Sequence, residues 1–416
     1  MVVVVVQSCI EASAAYEVSL PLAEKWDFDF WGVFHLPFPS LEIRRPPAAC
    51  TLLYSEMLGN HQHQHLTMEN FKSNTLTHKN GEITNYYEGG SPDGIPLVFL
   101  HGWPDIAESW IHQLTYFSST GKYRVTAPDM RGYGDSTAPK TKRSYSLEVL
   151  VQELIELAAH LNIKKAVWVA HDWGCGPNAA LAAHHPELYL GLASLAVPYR
   201  TAELGLNHIK TLINRDLYPE DEYEWGQWDY MRYYELHPEE SIKSFEANID
   251  RITPALYVKA DPRTHGQRSR NSRVQRDGGM FGGHPENIPE IPLAKTSLTE
   301  HHLANLLKSH KKHGFFPPTA WYLNHDVNEE YSKSEKNGGV LEFPVLFIDA
   351  KYDSVCSPSV SPKLAEPQKE ACKDLTYETV EAAHWLQLEK PDDVNRVLEK
   401  WLNEKIQSPL GLNSRI

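Results

Sequence analysis

Ala166-Val-Trp-Val-Ala-His-Asp172-Trp-Gly-Cys-Gly176 decides the fold. Ala166 to Ala170 is an apolar run of strand length, and the alanine-rich stretch from about Gly176 to Ala183 reads as a helix. The chain must turn sharply between them, and Ala170 and Gly174 stand two residues before and two after Asp172. Small residues there let the backbone make the strained turn that pushes one side chain out beyond a strand end, the form of a nucleophile elbow. The side chain is a carboxylate, where esterases and lipases place a serine hydroxyl. A carboxylate is a poor reagent for acyl transfer but a competent one at a saturated carbon, where it forms an ester. Taken alone, Asp172 could equally cap the following helix, since aspartate favours helix N-termini.

Outward from the elbow, strands alternate with helices. Ile83–Tyr87, Pro96–Leu100, Tyr123–Ala127 and Leu190–Val197 are strand candidates. Leu147, Leu150, Val151, Leu154, Ile155, Ala158 and Leu161 recur at helical spacing with one core-facing stripe. This rhythm predicts an α/β fold, a mostly parallel sheet with helices on both faces. It breaks from Pro198 to about Gly339, a stretch rich in Tyr, Trp, His and charge with helical pieces but no strand series, which reads as an inserted helical cap. The sheet resumes at Phe343–Asp349, followed by Leu375–Val380 and a closing helix around Asp392–Lys405. The expected organisation is an N-terminal extension of uncertain order over 1–67, a core over 68–197, a cap over 198–339 and the rest of the core over 340–416.

Two partners for Asp172 follow in the order this kind of elbow requires, acid then histidine. The apolar run from Pro344 ends in a loop at Asp353, and Glu381-Ala-Ala-His384-Trp385 places His384 between the last strand and the closing helix. Asp349 is a rival acid; it falls at the strand end, whereas Asp353 falls in the loop, so Asp353 is preferred. His101-Gly-Trp103-Pro104 follows the first long apolar strand, and the backbone N–H groups of Trp103 and Trp173 are candidates for an oxyanion hole. The run Pro128-Asp-Met-Arg-Gly-Tyr-Gly-Asp-Ser136 reads as a structural turn beside the site.

A net charge of -14 and a pI near 5.8 argue against nucleic acid and anionic membranes as partners. Cys9, Cys50, Cys175, Cys356 and Cys372 are odd in number and scattered, with neither metal-ligand spacing nor a disulfide framework. The run His61, His63, His65 is weak evidence for a metal tract, and no metal or organic cofactor is expected. Val2–Val6 is too short to span a membrane, so a soluble, cytoplasmic protein is expected; the terminal Ser414-Arg415-Ile416 resembles a peroxisomal tripeptide and supplies the alternative. A homodimer stays open.

Taken together, HGWPD, PDMRGYGDS, AHDWG, the AKYD loop and EAAHW resemble the epoxide hydrolase branch of the α/β-hydrolases, particularly the soluble eukaryotic enzymes, over roughly Leu76 to Ile406. The resemblance implies an α/β-hydrolase fold with a cap and puts the nucleophile on Asp172, the acid on Asp353 and the base on His384. It also implies two cap tyrosines that donate hydrogen bonds to the epoxide oxygen, matched by Tyr230 and Tyr322, with Trp103, Trp173 and Trp321 against the substrate. Ala350 departs from the glycine of many relatives, Ala196-Val-Pro-Tyr199 replaces a more polar sequence, and the glycine-rich stretch around Arg270–Pro289 is long. The implied reaction joins a small-molecule epoxide to water, giving a vicinal diol. The alternatives are a haloalkane or haloacid dehalogenase with the same nucleophile, an epoxide-opening biosynthetic enzyme, and a silent ligand-binding protein that keeps the pocket.

Overall fold

Eight strands form one sheet in a computed structural model of the chain, which describes residues 66–411. They are β1 (Lys72–Thr77), β2 (Ile83–Gly90), β3 (Ile95–Leu100), β4 (Tyr123–Pro128), β5 (Ala166–His171), β6 (Tyr189–Leu195), β7 (Leu341–Ala350) and β8 (Cys372–Val380). The order is β1-β2-β4-β3-β5-β6-β7-β8, antiparallel at β1–β2 and β2–β4 and parallel elsewhere.

β5 lies in the middle because both its faces are apolar. Successive side chains alternate across the sheet. Trp168 and Ala170 therefore join Leu150 and Leu154 of α2 (Leu147–His160) and Ala179 of α3 (Cys175–His184). Val167 and Val169 join Leu114 and Phe117 of α1 (Ile111–Ser119) on the opposite face. Each such buried aliphatic or aromatic side chain contributes roughly 1.5–3 kcal/mol relative to exposure. This doubly covered strand delivers His171 and Asp172 to the carboxyl edge of the sheet, where open α/β sheets bind ligands.

Between β6 and β7 the described residues contain helices, including α4 (Asp229–Leu236) and α5 (Glu300–His313), short 3-10 turns and a single isolated bridge, Val258 to Thr296. The chain closes with α6 (Pro391–Trp401).

Several elements differ from the sequence expectation. β1 is an edge strand with no buried residue, so it carries no alternation to read. α1 was not expected at all. β6 stops at Leu195, short of Val197, because Ala196 takes a left-handed φ of 67° that no strand accommodates. The closing α-helix ends at Trp401, and a wider turn over Leu402–Gln407 replaces its expected last turn. His61, His63, His65, Val2–Val6 and Ser414–Ile416 lie outside the described residues. No helix among the described residues is long and apolar enough to cross a membrane.

Candidate active site

Asp172 has φ 51°, a left-handed backbone unusual for a non-glycine residue. The turn is tight enough to need two glycines. A Cβ on Gly174 would stand 2.4 Å from Leu100 O, and one on Gly102 would stand 2.5 Å from Asp172 Cβ. Neither the 3-10 turn nor α3 receives a side-chain cap, so the capping reading of Asp172 fails. Its carboxylate faces the other loops instead. Oδ1 accepts the Trp103 N–H at 2.7 Å, and Oδ2 lies 3.2 Å from His384 Nε2.

His384 is held from behind. Its Nδ1 lies 2.6 Å from Asp353 Oδ2, while Asp353 Oδ1 accepts the Val355 and Cys356 amides at 2.8 and 3.1 Å. Asp349 is engaged elsewhere, accepting the Ser357 and Ser359 hydroxyls and the Tyr377 phenol. Asp349 lies within β7, one residue before its end at Ala350, and these three donors rather than His384 occupy its carboxylate.

Two histidines that sequence reasoning passed over brace the loops. His171 Nε2–H donates to the His384 carbonyl at 2.8 Å; burial and the neighbouring His384 push its pKa down to about 4, so it stays neutral. His101 donates from Nδ1 to Gly102 O at 2.9 Å and accepts the Met130 amide on Nε2 at 2.8 Å, tying the Trp103 loop to the 128–136 turn. Only their adjacency to motif residues could have flagged them.

The cap contributes aromatic rings. Tyr230, in the first turn of α4, meets Tyr322 edge to face with centroids 5.8 Å apart, and Tyr322 meets Trp173 at 5.0 Å and Trp103 at 5.8 Å. Trp321, like Trp103 and Tyr322, stands outside the lining of the cavity beside Asp172. It packs against Tyr133 and Trp173, and its indole N–H donates to Arg131 O at 3.2 Å. A small cavity of about 20 Å³ opens beside Asp172, lined in part by Trp173, Trp228, Tyr230, Met231 and Cys356. Trp228 and Met231, and Cys356 in the loop after β7, were not anticipated, since which residues face inward depends on packing that no motif encodes. The Trp103–Pro104 peptide is cis.

The charges are strongly coupled. Burial alone would raise the Asp172 carboxyl, but the hydrogen bond and charge of His384, with lesser help from His171 and the Trp173 amide, hold it below the usual carboxylate range. Burial alone would lower His384; the Asp353 charge and the hydrogen bonds to Asp172 and Asp353 lift it to about 10. The resting site is thus an imidazolium between two carboxylates. Burial first, then nearby negative charge including that of Asp172, raises both the Tyr230 and Tyr322 phenols well above the ordinary value, so both remain proton donors. Asp353, Cys356 and His384 offer metal-ligand atoms within 4.8 Å of one another, from positions whose sequence spacing hides the grouping. The Asp353–His384 hydrogen bond already occupies two of those residues.

Comparison with known proteins bears on the fold and the family. Residues 95–235 match the family model for the alpha/beta hydrolase fold. The chain is 30% identical over 330 residues to Epoxide hydrolase A of Mycobacterium tuberculosis, covering 79% of this chain and 96% of that one. It is 28% identical over 340 residues to Bifunctional epoxide hydrolase 2 of Sus scrofa, covering 80% of this chain but 55% of that one, so it spans about half the length of the mammalian relatives it matches. Among solved structures, a mutant epoxide hydrolase of Vigna radiata superposes with a TM-score of 0.64 at 25% identity, covering 81% of this chain and 99% of that one.

Proposed function

Because the chain belongs to the epoxide hydrolase family of the α/β-hydrolases, we propose that it opens epoxides to vicinal diols through an ester on Asp172. The observation that carries this reading is the placement of His384 against both Asp172 and Asp353, with buried phenols on the cap side. On this reading residues 198–339 are the cap over a core formed by 68–197 and 340–416, and Trp103 and Trp173 wall the site.

In the first step Asp172 Oδ2 attacks an epoxide carbon. The carbon–oxygen bond breaks, and its electron pair passes to the ring oxygen, which takes a proton from Tyr230 or Tyr322. Esterification removes the Asp172 charge, one of the groups that holds the proton on His384. The imidazolium becomes more acidic and restores the phenol, leaving a neutral imidazole oriented by Asp353. In the second step that imidazole takes a proton from water as hydroxide adds to the ester carbonyl. The oxyanion forms on Oδ1, where the Trp103 amide already donates and the Trp173 amide is close by. Collapse frees the diol and restores the carboxylate and imidazolium.

Halide displacement is the main rival, and buried phenols favour an oxygen leaving group over it. Assaying chloroalkanes for halide release separates the two reactions. Isotope labelling tests the ester itself. In a single turnover with enzyme in excess and ¹⁸O water, the diol should emerge largely unlabelled and the label should appear in the Asp172 peptide. Label found only in the diol would mean direct attack of water and would remove Asp172 as nucleophile.

A further inference from the structure

The buried side of α5 is polar where a packed helix face is ordinarily apolar. Its buried residues are His302, Leu306, Ser309 and His310. Three of the four hydrogen-bond core loops. His302 Nε2–H donates to Asp105 Oδ1 at 2.8 Å, His310 Nε2–H donates to Pro104 O at 2.8 Å, and Ser309 Oγ accepts the Gly134 amide at 2.9 Å. Pro104 and Asp105 are the two residues that follow Trp103, whose N–H holds Asp172 Oδ1.

Both histidines are committed to these contacts. The His302 and Asp105 side chains are 2% and 0% exposed. Burial alone would lower the His302 pKa, but the Asp105 charge and hydrogen bond raise it above its ordinary value, so the pair is held as imidazolium and carboxylate. His310 is neutral, because burial pushes its pKa down to about 4. The Pro104 carbonyl can only accept, so the His310 proton sits on Nε2, and Nδ1 accepts the Thr253 hydroxyl at 3.0 Å. Thr253 thereby fixes the tautomer that grips Pro104. Apolar side chains would cover this face with less desolvation; fully paired polar ones fix a single geometry.

We propose that His302 and His310 are positioning residues, which hold the Trp103 loop so that its amide stays on Asp172 Oδ1 when that atom becomes the oxyanion. The inference rests on the reading of Asp172 as an ester-forming nucleophile. The two steps do not need the amide equally. Alkylation removes charge from the Asp172 carboxylate, so a displaced amide costs that step little. Hydrolysis builds a full charge on Oδ1, and a donor acts only at hydrogen-bond distance from the place where charge develops. Loosening the loop should therefore slow ester breakdown and spare ester formation.

Steady-state and quenched-flow kinetics test this, with whichever of propylene oxide, cyclohexene oxide and styrene oxide the wild type turns over fastest. His310→Phe keeps a ring against Phe315, whose centroid lies 4.8 Å away, and loses the donor. With folding verified by thermal melting, its ester breakdown should slow roughly tenfold. Alkylation should stay within about threefold, so kcat and KM fall together while kcat/KM holds. Intact-protein mass spectrometry should then find more of the enzyme as adduct during turnover. A histidine that merely packed the cap would lower kcat/KM instead and add no adduct. His310→Gln, whose amide can still donate, should recover most of the loss. His302→Gln keeps a donor but removes the charge beside Asp105; it should show the same pattern more weakly, and it carries the test if His310→Phe does not fold. A loss in kcat/KM that matches the loss in kcat overturns the proposal, as does unchanged ester breakdown in the folded variants. If the wild type opens none of the three epoxides, the reading of Asp172 falls, and this inference with it.

Discussion

The core loops and the cap place their functional groups by different physics. In the core, Asp172, Asp353 and the Trp103 amide sit in loops just past strand ends, and backbone hydrogen bonds fix the two carboxylates. A strand that pairs on both sides has one register, so a group just past its end has one position. In the cap, Tyr230 and Tyr322 are held by rings: each other, Tyr234, Trp103 and Trp173. Ring contacts are each worth roughly 0.5–1.5 kcal/mol and can be remade in several ways. The charge-bearing half of the site is therefore rigidly specified, and the half that meets the leaving oxygen is adaptable.

That contrast can be broken by mutation. Asp172→Ala should abolish turnover, by at least about 10⁴-fold in kcat, without loss of fold. Measurable diol formation near the wild-type rate would end the comparison. His384→Gln should lower steady-state turnover by about 10²–10⁴-fold while leaving alkylation intact, so intact-protein mass spectrometry should find a persistent adduct. Tyr322→Phe and Tyr230→Phe should each cost roughly 10- to 100-fold, a little less than a fixed oxyanion donor because the partner phenol remains. Their loss should fall on alkylation, with no adduct accumulating; an adduct in either variant would move the tyrosines into the hydrolytic step.

Stability against pH gives a smaller effect. The folded pKa of His384 is raised, from an unfolded value near 6.5 to about 10. Its stabilising contribution is therefore full below pH 6.5 or so and lost as pH rises towards about 10. The stability gap between the wild type and His384→Gln should narrow over that window in denaturant melts, and a gap that widens would contradict the imidazolium. Smallest of all, Ser357→Ala should cost about 1 kcal/mol of stability through Asp349 yet leave kcat within about threefold.

The same contrast explains what could be read from the chain. Apolar runs and the glycines beside them announce β3, β5 and β7, and with these the loops bearing Trp103, Asp172 and Asp353. The choice of Asp353 over Asp349 rested on strand end against loop, and the hydrogen bonds run that way. β1 escaped notice because none of its residues is fully buried and Leu76 alone packs against the core. Trp321 and Tyr322 sit together in the turn after the short helix Phe316–Ala320, and both rings meet Trp173, Tyr322 with centroids 5.0 Å away and Trp321 6.3 Å away. Trp228 and Cys356 reach the cavity only through tertiary packing.

The Trp103 amide has one more consequence. A free carboxylate has two equivalent oxygens, but here Oδ1 is pinned by an amide at 2.7 Å and Oδ2 faces the imidazole. On the proposed mechanism only Oδ2 is handed to the product, and the oxygen of water takes its place. The protein would thus surrender an atom of its own backbone-anchored side chain in every cycle and replace it from solvent, while the twin atom stays for the protein's lifetime. After many turnovers in ¹⁸O water, Asp172 should carry a single heavy oxygen. A second would reveal that the carboxylate flips between cycles and that the amide does not hold it.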